Sequence, residues 1–206
     1  MMTMRPLSSL ALIALIAGCA ASQPQTSFHT LMPPADATVA PAPGPARLAL
    51  RIAPVRVPAQ VDQPQWVLRG VDGSVQVLEQ QRWLASPADE FRDALADRLV
   101  RRLGAVDLGR AGTAAAGLPV WQVQLELQRF DSVAGKEVVQ QSTWSLRNPD
   151  ATAPALSCRS LVREPAADGY AALAAAHRAA LARTADRIAE ALRSLSEGRP
   201  AACPAE

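Results

Sequence analysis

An α+β fold is predicted: an antiparallel sheet built from hairpins, with two amphipathic helices packed on one face, in the order strands, helix, strands, helix. Three observations predict it. Trp121, Val123, Leu125 and Leu127 alternate with Gln122, Gln124, Glu126 and Gln128, the pattern of a strand buried on one face and wet on the other. Ala88, Phe91, Leu95, Leu99 and Leu103 recur at spacings of three and four, which gives a helix one apolar side. A second such stripe, Tyr170, Leu173, His177, Leu181, Ile188, Leu192 and Leu195, runs through a long helix at about 168–197.

The elements follow in order. Leu48, Leu50 and Ile52 alternate as in a half-buried strand, and Pro54 and Pro58 restrict it to an edge, a bulge or an early end. Gln65–Arg69 and Ser74–Glu79 read as two short strands of a hairpin around the turn Gly70-Val71-Asp72-Gly73. Ser86-Pro87-Ala88-Asp89 is a helix start, with a capping serine, a proline at the first helical position and an acid at the positive helix end. Gly104 is placed to end that helix. After the Trp121 strand, Asp131–Gly135 is expected to turn and Val138–Leu146 to return as a strand. Asn148-Pro149-Asp150 marks a loop before a third strand at Leu156–Val162, and Gly198 and Pro200 stop the last helix. The two halves share an element order but no sequence repeat.

The first 18 residues have a different character. Arg5 is the only charge in Met1–Pro6, Leu7–Ala17 is apolar apart from Ser8 and Ser9, and Ile16-Ala17-Gly18 leads into Cys19. A basic start, a short apolar run and small residues at its end make a secretory signal, and the run falls well short of the roughly 20 apolar residues of a spanning helix. Small residues directly before a cysteine resemble the lipobox of bacterial lipoproteins. That resemblance implies a diacylglycerol on the Cys19 thiol, cleavage before Cys19 and acylation of the new amine. Only a thiol forms that thioether, and several acyl chains together anchor stably. Ala20 rather than Asp follows Cys19; by resemblance to enterobacterial sorting this implies the periplasmic face of the outer membrane. The expected organisation is a signal peptide at 1–18, a lipidated Pro/Ala-rich tether at 19–46, a single α+β domain at 47–198 and a tail at 199–206. The tether composition cannot bury enough apolar surface to fold alone, and its prolines favour an extended chain. Phe28-His29-Thr30-Leu31 interrupts it with an apolar patch suited to dock on the domain or on a partner.

Charge and cysteine usage narrow the function. Removing residues 1–18 leaves 188 of the 206 residues, enough for one domain with a core, and the loss of Arg5 lowers the formal charge from +2 to +1. That balance argues against a nucleic-acid partner, which needs a concentrated basic surface. With Cys19 assigned to lipid, Cys158 and Cys203 form an even pair in an oxidising compartment and are expected to be bridged; two unrelated thiols are the alternative. Two cysteines and the distant His29 and His177 show no metal-ligand spacing, so no metal or other cofactor is expected. Catalytic motifs are missing as well: there is no Gly-X-Ser-X-Gly elbow and no phosphate-binding glycine loop. His177 sits on the apolar helix stripe, where a packing role is expected, and Asp62 and Asp131 read as turn and capping residues.

Several short stretches together resemble a known family. They are Phe28-His29-Thr30-Leu31 after the lipobox, the first strand leading to Val61-Asp62-Gln63-Pro64-Gln65, and Arg82-Trp83-Leu84-Ala85-Ser86-Pro87. Leu125-Glu126-Leu127-Gln128-Arg129-Phe130-Asp131 and Ser142-Thr143-Trp144-Ser145-Leu146 complete the set. In order and spacing these resemble the PqiC-type family, auxiliary lipoproteins of ABC-type transport and of membrane-integrity transporters, from about 27 to 195. The family often has Arg after the aspartate and Tyr-Tyr at the early aromatic pair; here Gln63 and Phe28-His29 stand there. The resemblance implies a non-enzymatic component at the outer-membrane end of a lipid-transport system. Its implied partners are a periplasm-spanning MCE-domain protein, the associated inner-membrane transporter components, the membrane through the lipid, and further copies in a homo-oligomeric ring.

The residues themselves suggest where a partner would dock. Asp62, Gln63, Pro64, Gln65 and Trp66 combine a rigid turn, polar groups and a large aromatic, and Arg82 and Trp83 stand just before the helix cap. Trp and Arg commonly anchor interfaces. The tryptophans are equally suited to filling the core, while Trp121 and Trp144 are expected inside. Two other functions compete: a lipoprotein that supports assembly of an outer-membrane protein or lipopolysaccharide export, and a lipid-tethered periplasmic hydrolase, against which the missing nucleophile–base motif weighs.

Overall fold

In the computed structural model the described residues are 25–34, 44–111 and 117–203. Cys19, the signal and most of the expected tether lie outside them. The elements are β1 Ser27–His29, β2 Ala49–Ile52, β3 Gln65–Arg69, β4 Val75–Trp83, α1 Pro87–Leu103, β5 Val106–Asp107 and the short α2 Leu108–Ala111, followed by β6 Val120–Val133, β7 Glu137–Arg147, β8 Leu156–Pro165 and α3 Tyr170–Ser196.

The fold is α+β, with the strands in two sheets: a three-stranded one, β1-β4-β3, and a five-stranded one, β5-β2-β6-β7-β8. The expected single antiparallel sheet is corrected here. β6, β7 and β8 form an antiparallel meander, but β2 pairs in parallel with both β5 and β6, and β1 pairs in parallel with β4. Parallel partners are brought together from distant parts of the chain, so no turn motif announces them.

Local signals place α1 well. Ser86 Oγ accepts from the Asp89 amide at 3.2 Å, Pro87 opens the helix, and Gly104 closes it in the left-handed conformation at φ 59°. Phe91, Leu95 and Leu99 are buried, and so are Leu173, Leu181, Ile188 and Leu192 of α3. The two helices are clamped by Asp186, which accepts from Arg98 Nη2 at 2.7 Å and from Arg102 Nε at 2.8 Å. Burial works to raise the Asp186 carboxyl, but the two guanidinium groups outweigh it and hold the group below the usual carboxylate range.

Three strands run well past their expected ends, β8 reaching Pro165 rather than Val162. β6 continues to Val133, and the turn is the shorter Ala134–Lys136, with Gly135 at φ 62° and the Lys136 amide donating to Val133 O at 3.1 Å. A bulge between Leu127 and Arg129 shifts the alternation by one residue, so Phe130 and Ser132 face the core after Leu125 and Leu127. β4 reaches Trp83 rather than Glu79 because β1 pairs with its last three residues, Gln81, Arg82 and Trp83.

Candidate functional site

The segment Pro58–Gln65 is a compact turn. Val61 donates to Pro58 O at 2.9 Å and Gln63 to Val61 O at 2.8 Å, and the turn is tied to the small sheet by the Trp83 amide on Pro64 O at 2.7 Å. Val61 is its buried anchor. Asp62 and Pro64 are exposed, and Gln63 and Gln65 are half-buried at its rim. Arg82 pairs across the sheet with Gln65 and donates Nε–H to Glu79 O at 3.0 Å. Asp62, Gln63, Pro64, Gln65 and Arg82 thus share one patch of surface.

Trp66 and Trp83 do not belong to that surface. They are 1% and 2% exposed and stack on each other with ring centroids 4.1 Å apart. As partner contacts these two are corrected: the bulge between Gln65 and Trp66 turns Trp66 inward, and Trp83 follows it to fill the gap between the sheets. They form the floor on which the turn stands. Trp121 and Trp144 are buried as well.

Beneath the floor lies a polar network closed off from water. His177 is completely buried, with Phe130 stacked on it at 4.1 Å and Trp83 edge-on at 5.8 Å. Gln140 Nε2 lies 3.1 Å from His177 Nδ1 and 2.9 Å from the His177 carbonyl oxygen. An amide nitrogen donates to both; the reversed amide would set Oε1 against that carbonyl, acceptor to acceptor. Nδ1 therefore accepts, and the ring proton sits on Nε2, donated to Ser132 Oγ 2.8 Å away. Ser132 Oγ also accepts from Trp66 Nε1–H at 2.9 Å. With no charged neighbour in the network, desolvation by burial lowers the His177 pKa to about 3. A serine oxygen that receives the ring proton has no base to remove its own, so this serine–histidine pair is not a nucleophile and its activator.

Sequence reasoning missed Ser132, which the β6 bulge hides from a period-two pattern, and Gln140, a polar residue in phase with Trp144 and Leu146 on the buried side of β7. It missed Glu90 and Arg178 too. Glu90, buried on α1, accepts from Thr30 Oγ1 at 2.6 Å and from the Leu31 amide at 2.8 Å. Arg178 on α3 donates to Thr30 O at 3.0 Å. Leu31 is buried, and His29 meets the edge of Trp66 at 5.0 Å while Nε2 sits 2.8 Å from Gln81 Oε1. The patch Phe28–Leu31 is thus strapped to the domain.

At the other end of the chain Cys158 and Cys203 are joined, with Cα atoms 5.4 Å apart, and the Cys203 residue lies beside Ser157 of β8. Among the described residues no three potential metal ligands converge, and no helix is long and apolar enough to cross a membrane.

The family model described as ABC-type transport auxiliary lipoprotein component matches residues 29–189, from the strap through most of α3. The chain belongs to that family. Among solved structures, this auxiliary component matches a protein described only as uncharacterized, with TM-score 0.64 and 16% identity over 82% of this chain and 99% of that one. It also matches a Xanthomonas campestris protein, with TM-score 0.59 and 18% identity over 84% and 95%. At these identities the likeness shows a shared fold. A PelC dodecamer from Paraburkholderia phytofirmans matches with TM-score 0.39 and 11% identity over 68% and 88%, too distant to speak for this chain. A comparison with curated proteins gives no match.

Proposed function

We propose that this chain is a non-enzymatic lipoprotein on the periplasmic face of the outer membrane. It docks the periplasm-spanning MCE-domain partner of an ABC-type lipid-transport system. The family match across residues 29–189 carries the reading, since it makes the folded part of the chain an auxiliary of transport. The outer-membrane site rests on Cys19 followed by Ala20, and the MCE partner on the resemblance of the five stretches quoted above. Docking rather than catalysis is supported by a histidine and serine sealed under aromatic rings while a polar turn stands above them on a rigid floor. A turn held by its own amides and a tryptophan pair loses little freedom on binding.

The contact residues proposed are Asp62, Gln63, Pro64, Gln65 and Arg82. Gln63→Glu places a charge at the half-buried rim. In the free protein it stays hydrated at little cost. At an interface without a counter-charge it loses that hydration, and affinity for the partner is expected to fall on the order of a hundredfold. Co-purification with the MCE-domain partner, alongside circular dichroism of the variant, measures both. Undiminished binding by a folded Gln63→Glu protein removes this turn from the interface.

A further inference from the structure

Among the described residues the large apolar side chains most open to water are Phe28 at 61%, Val71 at 83%, Val75 at 54%, Val77 at 45% and Leu84 at 68% exposed. All five lie on the small sheet, at its turn or directly after it. Register puts most of them on one face. Paired strand residues share a side, and His29 with Trp83, and Trp66 with Leu78, face the core. Their neighbours Phe28, Val77 and Val75 therefore face outward. Leu84, next after the inward Trp83, extends the outward face, and Val71 sits at the hairpin tip. An apolar sheet face left open to water marks a contact surface.

Strand direction says what it contacts. β1 runs parallel to β4, with Ser27 beside Gln81 and His29 beside Trp83. Thr26 continues the pairing backward, its Oγ1 donating to Gln80 Oε1 at 2.9 Å. β4 begins at the hairpin turn, so the backbone at Thr26 enters β1 from the hairpin-tip side. Cys19 lies seven residues before Thr26. Seven residues reach at most about 25 Å, whereas the stretch of β4 from Gln80 back to Val75 spans about 17 Å. The strapped β1 thus leaves, of the 28 residues expected as tether, only the seven before Thr26, a length sufficient for Cys19 to reach the hairpin tip.

We propose that the tip of the β3–β4 hairpin and the Val75–Val77 stretch of its outer face rest on the lipid surface that holds the Cys19 acyl chains. The proposal rests on the reading of Cys19 as the lipid-attachment residue. Asp72 at the tip and Glu79 on β4 are exposed acids, which keep the hairpin at headgroup depth rather than in the hydrocarbon. Val71, Val75 and Val77 lie on the bilayer as an interfacial contact, while Phe28, paired with Arg82, stays at the far end of the sheet beside the docking patch. This orients the domain, with the Cys19 leash and the hairpin against the membrane and the far end of α3 away from it.

The experiment uses the full acylated protein in phosphatidylethanolamine–phosphatidylglycerol vesicles. It compares Val75→Cys and Val77→Cys with Glu190→Cys, each carrying an environment-sensitive thiol label attached without reductant. Glu190 is exposed on α3, twenty residues along the helix from Tyr170, which packs near Trp66. That is about 30 Å away. Mass spectrometry of the Cys19 peptide first establishes acylation; its absence overturns the lipoprotein reading and this proposal with it. On acylated protein, labels at 75 and 77 are expected to lose at least three-quarters of their quenching by aqueous iodide and to gain quenching by shallow spin-labelled lipid. The label at 190 should show neither change. Labels at 75 and 77 quenched by iodide as fully as at 190 overturn the proposal while leaving lipidation standing. Labels shielded from iodide yet untouched by the lipid quencher overturn it too, because a protein would then cover the face.

Discussion

Replacing His177 with glutamine removes one titrating group from the interior, and the structure says how stability should respond to pH. His177 contacts Phe130, Trp66, Trp83, Ser132 and Gln140, none of them charged, and its folded pKa is lowered to about 3 from 6.5. The unfolded chain takes up this proton as the pH falls below 6.5; the folded chain takes it up only near 3. The contribution is therefore fully present above the unfolded pKa and is lost progressively as the pH falls through the window between the two values. At a pH of about 4.5, two units below the unfolded value, the loss is about 3 kcal/mol. That is a large share of a typical stability of roughly 5–15 kcal/mol. His177→Gln also disturbs the bonds to Ser132 and Gln140, at a cost of about 1–3 kcal/mol at every pH. Urea unfolding of both proteins near pH 7 and near pH 4.5, followed by tryptophan fluorescence, separates the two effects. Carboxylates titrate in both proteins and cancel in the comparison. The wild type is expected to lose about 3 kcal/mol more than the variant between the two conditions. Equal losses would show that His177 gains its proton in the folded protein or reaches water, and would refute the sealed network.

Three further predictions concern the ends of the domain. Glu90→Ala removes the acceptor for Thr30 and Leu31 and should cost about 3 kcal/mol, with Leu31 amide exchange accelerating first; unchanged exchange at Leu31 would show that the strap is held by other contacts. Cys158 and Cys203 stand 45 residues apart, so a bridge between them is worth up to about 4 kcal/mol by chain entropy. A thiol assay on unreduced, denatured mature protein should find no free cysteine, and two free thiols would refute the pairing. Cys19→Ser should leave a precursor that takes up no labelled fatty acid and does not fractionate with the outer membrane; normal labelling would sink the lipid assignment.

By itself the sequence determined what depends on neighbours along the chain. Ser86, Pro87 and Gly104 delimit α1 because caps and left-handed glycines act within a few residues. The stripes of α1 and α3 and the alternation from Trp121 to Leu127 likewise state which sides are buried. The surface turn around Gln63 was legible as a proline-bearing polar segment. Its depth was not: whether Trp66 and Trp83 face a partner or the core depends on a bulge and on a strand from elsewhere in the chain. The same holds for the network around His177, where Ser132 faces inward only because Gln128 is the extra residue of the β6 bulge, and so shares His177 with Gln140, which lies on the buried side of β7 with Trp144. Tertiary structure alone decided the parallel partners of β1 and β2 and the capture of Thr30 and Leu31 by Glu90. Those contacts join residues 54 to 71 positions apart, selected by burial and hydrogen-bond satisfaction in the assembled core rather than by local propensity.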